Sequence, residues 1–142
     1  MQAQKEYVLN GMVFKEEDII QFEKGVPGFE HLKRYIISTN TESEPFHWMH
    51  SVDDERIRFV IINPLLFNPD YNPKIHKEQI IDLHVDKKED LLLYVIVTLA
   101  KNLEDSTANL SGPILINIGR KKGKQIILDD NRYSVKEPLI KR

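Results

Sequence analysis

Five histidines, three carboxylate clusters and one basic run are the places in this 142-residue sequence where side chains could do chemistry. His47 and His50 stand three apart; on a strand that spacing sends them to opposite faces, so they cannot share a metal ion. His76 and His84 lie in a separate polar segment, and no metal is expected. Carboxylates cluster at Glu16-Glu17-Asp18, at Asp53-Asp54-Glu55 and at Asp129-Asp130. Paired acids can act as general acid and base when their surroundings separate their pKa values. These pairs fall at expected turns, where aspartate serves the backbone and solvent keeps a carboxylate ordinary. An acidic interaction surface is the better reading of them. Ser51 beside His50 and Asp53 has the composition of a triad, but the chain lacks the glycine-flanked serine of a nucleophile elbow. Neither a Walker nor a dinucleotide glycine pattern occurs, and with no cysteine there is no thiolate nucleophile or disulfide. The expectation is a protein that is not an enzyme and uses no cofactor.

Arg120-Lys121-Lys122-Gly123-Lys124 is the one basic run. Read functionally, it would contact RNA or phosphate, and a direct RNA-binding β-barrel built on Arg120, Lys121, Lys122 and Lys124 is the alternative function. No aromatic residue interleaves with it to stack bases, and the net charge of -2 is the opposite of what phosphate binding favours. A solvated hairpin tip is the simpler reading, and no direct nucleic-acid partner is expected. The longest apolar stretch, Leu91 to Val97, is far shorter than the ~20 residues a membrane-spanning helix needs. Residues 1–6 show no secretory-signal pattern. A cytoplasmic location without membrane contact is expected.

The elements that would position these groups are mostly strands. Phe46, Trp48, His50 and Val52 alternate with His47, Met49 and Ser51; 53–56 reads as a turn into a second strand over 58–62. Residues 91–99 are continuously apolar and rich in β-branched side chains, as in a strand buried on both faces. A further hairpin joins 114–118 to 124–128 across a glycine-flanked basic tip. Near the start, Asn10-Gly11 links 5–9 to 12–14 with the strongest short hairpin signal. A short strand over 19–22 precedes the turn Gly25-Val26-Pro27-Gly28. One helical turn is expected in 29–35 and a short helix in 77–83. Pro64, Pro69 and Pro73 make 63–73 an ordered loop or an edge, where Leu66, Phe67 and Tyr71 either cap the core or stand out as an interface anchor. About eight to ten short strands at such spacing predict an all-β, mainly antiparallel, barrel-like single domain over 1–142, with one or two short helical turns and a loose tail over 137–142.

A family resemblance goes further. The string from Ile19 to Glu30, which holds Gly25, Pro27, Gly28 and Phe29, resembles the opening signature of the FliW family. Ser51-Val52-Asp53-Asp54 follows an aromatic-rich strand as it does there, and Asn63-Pro64 with Asp70-Tyr71 matches the family's central loop. Thr107-Ala108-Asn109-Leu110 with Pro113-Ile114-Leu115-Ile116-Asn117 is the most diagnostic stretch. Lys124 to Leu128 with Gln125, then Tyr133 and Pro138-Leu139, complete the pattern from about Tyr7 to Leu139. His47 and His50 depart from it, standing where an apolar residue and a glutamine are expected. The resemblance implies a small β-barrel-like fold and two competing partners: flagellin, and the translational regulator CsrA, which represses flagellin mRNA. It implies that the protein binds CsrA away from its RNA groove, releasing the message, and that surplus flagellin captures the protein in turn. On that footing Asp53, Asp54, Asp70, Asp129 and Asp130 are expected to contribute an acidic partner-binding surface, with Phe67 and Tyr71 as its apolar anchor.

Overall fold

A computed structural model describes residues 5–38 and 41–141; residues 1–4 and Arg142, which the sequence places inside the domain, lie outside the described residues. Asn10 and Gly11 both take positive φ, 50° and 78°, the backbone a two-residue turn with the twist of its strands requires. They join β1 (Glu6–Leu9) to β2 (Met12–Lys15) in a two-stranded sheet of its own. The remaining strands are β3 (Ile20–Gln21), β4 (Arg34–Ser38), β5 (Phe46–Ser51), β6 (Arg58–Ile62), β7 (Leu91–Thr98), β8 (Thr107–Ala108), β9 (Ile114–Asn117), β10 (Lys122–Gln125) and β11 (Glu137–Pro138).

Seven of them close a barrel in the order β3, β4, β5, β6, β7, β9, β10. Every pairing is antiparallel except β10 with β3, a parallel contact at the single pair Lys122 and Gln21. Alternation along each strand fills the barrel: Ile20, Tyr35, Met49, Ile61, Ile114 and Ile116 point inward around the buried Phe22. Much of the outward surface is covered rather than solvated. The β1–β2 hairpin lays Leu9 and Phe14 against Ile36. Phe67, Tyr71, Leu110 and Tyr133 cover Val60, Ile62, Val95 and Val97. The helical turns α1 (Lys77–Ile80) and Ile81–Leu83 cover Leu115, Ile126 and Leu128. The continuous apolar run of β7 is explained by this: Leu92, Tyr94 and Ile96 face the barrel, and Leu93, Val95 and Val97 face the outer layers.

Three expectations change. Residues 29–35 hold a single hydrogen-bonded turn, the Leu32 amide donating to the Phe29 carbonyl at 3.0 Å, but no helix; β4 begins at Arg34, because Tyr35 completes the inner face of the barrel. The second hairpin turns at 118–121, with Lys121 at φ 55°, and β10 begins at Lys122. Gly123 is therefore in a strand, where a Cβ would lie 2.5 Å from the Phe22 ring; it permits close packing, not a turn. The segment 137–142 is not loose at its start. Glu137 and Pro138 pair with β8, and the Leu139 amide donates to the Ser106 carbonyl at 3.1 Å.

Candidate partner-binding surface

The loop 63–73 is ordered by its own residues. Asn63 caps the turn Pro64–Leu66 by accepting the Leu65 amide at 3.0 Å, and Pro64 supplies the fixed φ of its first position. This leaves Leu65 and Leu66 in solvent, at 44% and 63% exposure. Phe67 is half-buried against the outer layer. Tyr71 is buried, at 5% exposure; its hydroxyl donates to the Leu110 carbonyl at 2.7 Å, and its ring meets the Tyr133 ring edge-on at 4.7 Å. Tyr71 thus caps the core and cannot serve as an exposed anchor. Burial also pushes its hydroxyl well above the ordinary phenol range. Leu65 and Leu66 take the exposed apolar position instead. The turn Asp129 to Tyr133 abuts this loop: the Tyr133 hydroxyl accepts the Asn72 amide, and Arg132 donates to the Asn72 carbonyl.

The five candidate carboxylates do not form one patch. Asp53 and Asp54 sit in the turn before β6, whereas Asp70 follows its far end, so the strand's own length, roughly 17 Å at 3.3 Å per residue, separates them. Three of the five are also matched locally. Asp53 pairs with Arg34 at 2.6 Å, Asp54 with Arg56 at 3.0 Å and Asp130 with Arg132 at 2.7 Å. Partial burial pushes Asp53 up, but the Arg34 hydrogen bond and charge leave it below the usual carboxylate range. The arginine hydrogen bonds do the same to Asp54 and Asp130. Asp70 and Asp129 are exposed, and Asp70 shares the loop that carries Leu65 and Leu66.

The basic run is matched as well. Arg120 pairs with Asp86 at 2.8 Å and Lys122 with Glu23 at 2.9 Å. The Lys124 ammonium reaches Asp82 at 3.2 Å and the Gln79 carbonyl. Three of the four cations of the run are thus matched, Lys121 being the exception among the described residues, which weighs against direct RNA binding.

The signature residues build turns. Gly25 takes φ 66°, and a Cβ there would meet the Glu30 backbone at 2.5 Å; Pro27 and Gly28, the latter at φ 90°, complete the turn that seats Phe29 edge-on to Phe59 at 5.4 Å. Thr107 pairs with Pro138 across β8 and β11. The Asn109 side chain accepts the Ser111 amide, Leu110 is buried, and Gln125 donates to the Gly112 carbonyl. The Pro113 carbonyl accepts the Ile126 amide. Asn117, 1% exposed, donates to the carbonyls of Leu83 and His84 and accepts from Gly119 and Arg120. It locks the outer helical turns to the end of β9.

His47 and His50 do point to opposite faces. His47 lies edge-on to Tyr94, and its Nδ1 donates to the Ser38 carbonyl at 3.2 Å. His50 is buried under the hairpin tip, where Asn10 Nδ2 lies 3.1 Å from its Nδ1. An amide nitrogen only donates, so this His50 nitrogen accepts and carries no proton. Burial and then the Arg58 charge hold the imidazole below its ordinary range, which agrees. Among the described residues, no three metal-ligating side chains converge. No helix there is long and apolar enough to cross a membrane.

Comparison with known proteins places this arrangement. A profile of the family described as FliW protein matches residues 5–139. The flagellar assembly factor FliW of Thermoanaerobacter pseudethanolicus is 43% identical over 128 residues, covering 89% of this chain and 85% of that one. That of Clostridium botulinum strain Langeland is 42% identical over 128 residues, covering 90% of each. A solved structure described as the crystal structure of the flagellar assembly factor FliW superposes with a TM-score of 0.87 at 33% identity, covering 97% of this chain and 99% of that one.

Proposed function

The chain belongs to the FliW family, and from that premise we propose that it is a non-enzymatic cytoplasmic assembly factor that binds CsrA, relieves repression of flagellin mRNA, and is sequestered by flagellin. The observation that carries this reading is the likeness across nearly the whole chain to proteins named flagellar assembly factors. The surface is consistent with a protein partner. Leu65 and Leu66 stand exposed on a loop pinned by Asn63 and Tyr71, flanked by Phe67 and followed in the same loop by the exposed Asp70. An apolar centre with a charged rim is the anatomy of a protein interface. Exposed carboxylates such as Asp70 would also repel RNA phosphates from a basic partner bound beside them. Two ligands that exclude each other pass a free-energy difference through the protein that binds both. That is how flagellin supply would reach CsrA. The matched charges of Arg120, Lys122 and Lys124 favour this reading over direct RNA binding.

Isothermal titration with CsrA, repeated with flagellin as competitor, tests it. CsrA binding that flagellin abolishes is expected. No heat with either partner would sink the reading.

A further inference from the structure

Four of the five arginines in the described residues, Arg34, Arg56, Arg120 and Arg132, pair with an aspartate. Arg58 does not. It is exposed at the start of β6, and its guanidinium lies 4.5 Å from the centre of the Trp48 ring. The two are diagonal neighbours on the outer face, since Arg58 pairs with His50 and Val60 pairs with Trp48 across β5 and β6. They line a surface cleft of about 470 Å³ together with Asn10, Met12, Ser38 and His50. Among the described residues, no carboxylate lines it. His50 adds no charge, because its Nδ1 accepts from Asn10. In a chain of net charge -2, this cleft carries one unmatched cation.

We propose that this cleft is a docking site for a carboxylate-bearing segment of a partner protein, with the carboxylate forked onto Arg58 and its apolar neighbour laid against Trp48 and Met12. Stacking on the indole orients the planar guanidinium while its N–H edge stays available, and that fork matches a carboxylate bidentately. Tryptophan and arginine are the side chains that most often dominate protein interfaces. The occupant is a protein segment rather than RNA. Phosphate chains are held by several cations in a row, and here there is one.

The choice of probe proteins rests on the proposed function; the site does not. Wild type, Arg58→Gln and Arg58→Glu, checked for equal thermal melting, are titrated with CsrA, with flagellin and with a short RNA. In parallel, the Trp48 indole N–H and Arg58 Nε–H NMR signals are followed as the capped tripeptide Leu-Glu-Leu, or Leu-Gln-Leu, is added. The expected result is at least tenfold weaker binding of one partner protein by Arg58→Glu, with Arg58→Gln between, and shifts of both signals with the Glu peptide only. Shifts with that peptide while wild type binds neither protein would leave the site standing and remove the proposed function. Unchanged protein binding in both variants with no peptide-specific shift overturns the site, as does RNA affinity that Arg58→Glu abolishes.

Discussion

Two buried polar side chains in this protein make opposite predictions. Tyr35 is fully buried inside the barrel, edge-on to Phe22 at 5.1 Å, and among the described residues its hydroxyl has no hydrogen-bond partner. Burial pushes it up to about 12. An unpaired buried hydroxyl costs roughly 1–3 kcal/mol. Tyr35→Phe removes that cost with little change of shape, so thermal melting is expected to stay level or rise. A clear fall would mean the hydroxyl has a partner. His50 is satisfied only while neutral. Its folded pKa lies below that of the unfolded chain, so the unfolded chain takes up the proton first as pH falls. The stability it contributes is fully present above about pH 6.5 and is lost as pH falls from there through the folded value. His50→Gln keeps an acceptor for Asn10 and does not titrate. Between pH 7 and 5 its melting temperature should fall less than that of the wild type. Parallel curves would refute the assignment.

Among the elements, the β1–β2 hairpin is the most separable. Among the described residues it shares no strand pairing with the barrel, and it is held by Leu9, Phe14 and Ile19 against Ile36, with Phe14 stacked on Tyr7 at 5.3 Å. A two-stranded hairpin is marginal by itself. Truncating a buried phenylalanine costs about 3–5 kcal/mol where the structure cannot follow. Phe14→Ala is therefore expected to raise amide exchange over residues 5–15 while the amides of β6 and β7 keep most of their protection. Uniform loss across all strands would show that the hairpin and barrel unfold as one unit. The Leu65–Leu66 turn belongs to the same scale. Both side chains are solvent-facing and the turn is pinned by Asn63, so Leu66→Asp should leave melting within about 0.5 kcal/mol of wild type and weaken CsrA or flagellin in the competition titration. Unchanged affinity for both would move the interface elsewhere.

At the scale of the molecule, closure is the dominant event. The barrel seals where Gln21 meets Lys122 and where Leu91–Tyr94 meet Ile114–Asn117, the first joining residues about a hundred apart in the chain. Loop-closure entropy must be met before such contacts contribute, so folding in milliseconds to seconds is expected. Trp48, the chain's single tryptophan, reports on it by stopped-flow fluorescence, and a microsecond phase carrying the full amplitude would contradict the closure account. Charge is also decided at this scale. Carboxylates and cations that form blocks in sequence are dispersed by the fold into pairs such as Arg34 with Asp53 and Arg120 with Asp86.

Local chemistry was legible from the sequence. The Asn10-Gly11 hairpin, the alternation of β5, the doubly buried β7, the short helix near 77–83 and the ordered proline loop each follow from a period, a turn residue or a missing donor. The family was legible too, because its signature residues are the ones that fix turns, as Gly25 and Asn117 show. What only the tertiary structure decided depends on partners distant in the chain. Phe22 determines that Gly123 lies in a strand rather than a turn, and the cluster around Val60 and Val95 determines that Tyr71 turns inward. Asp86, Glu23 and Asp82 pair with three of the four cations of the basic run, while Arg58 is left on Trp48 without a carboxylate. Periodicity records which residues a strand must bury; it carries no information about which charges will meet across a closed barrel.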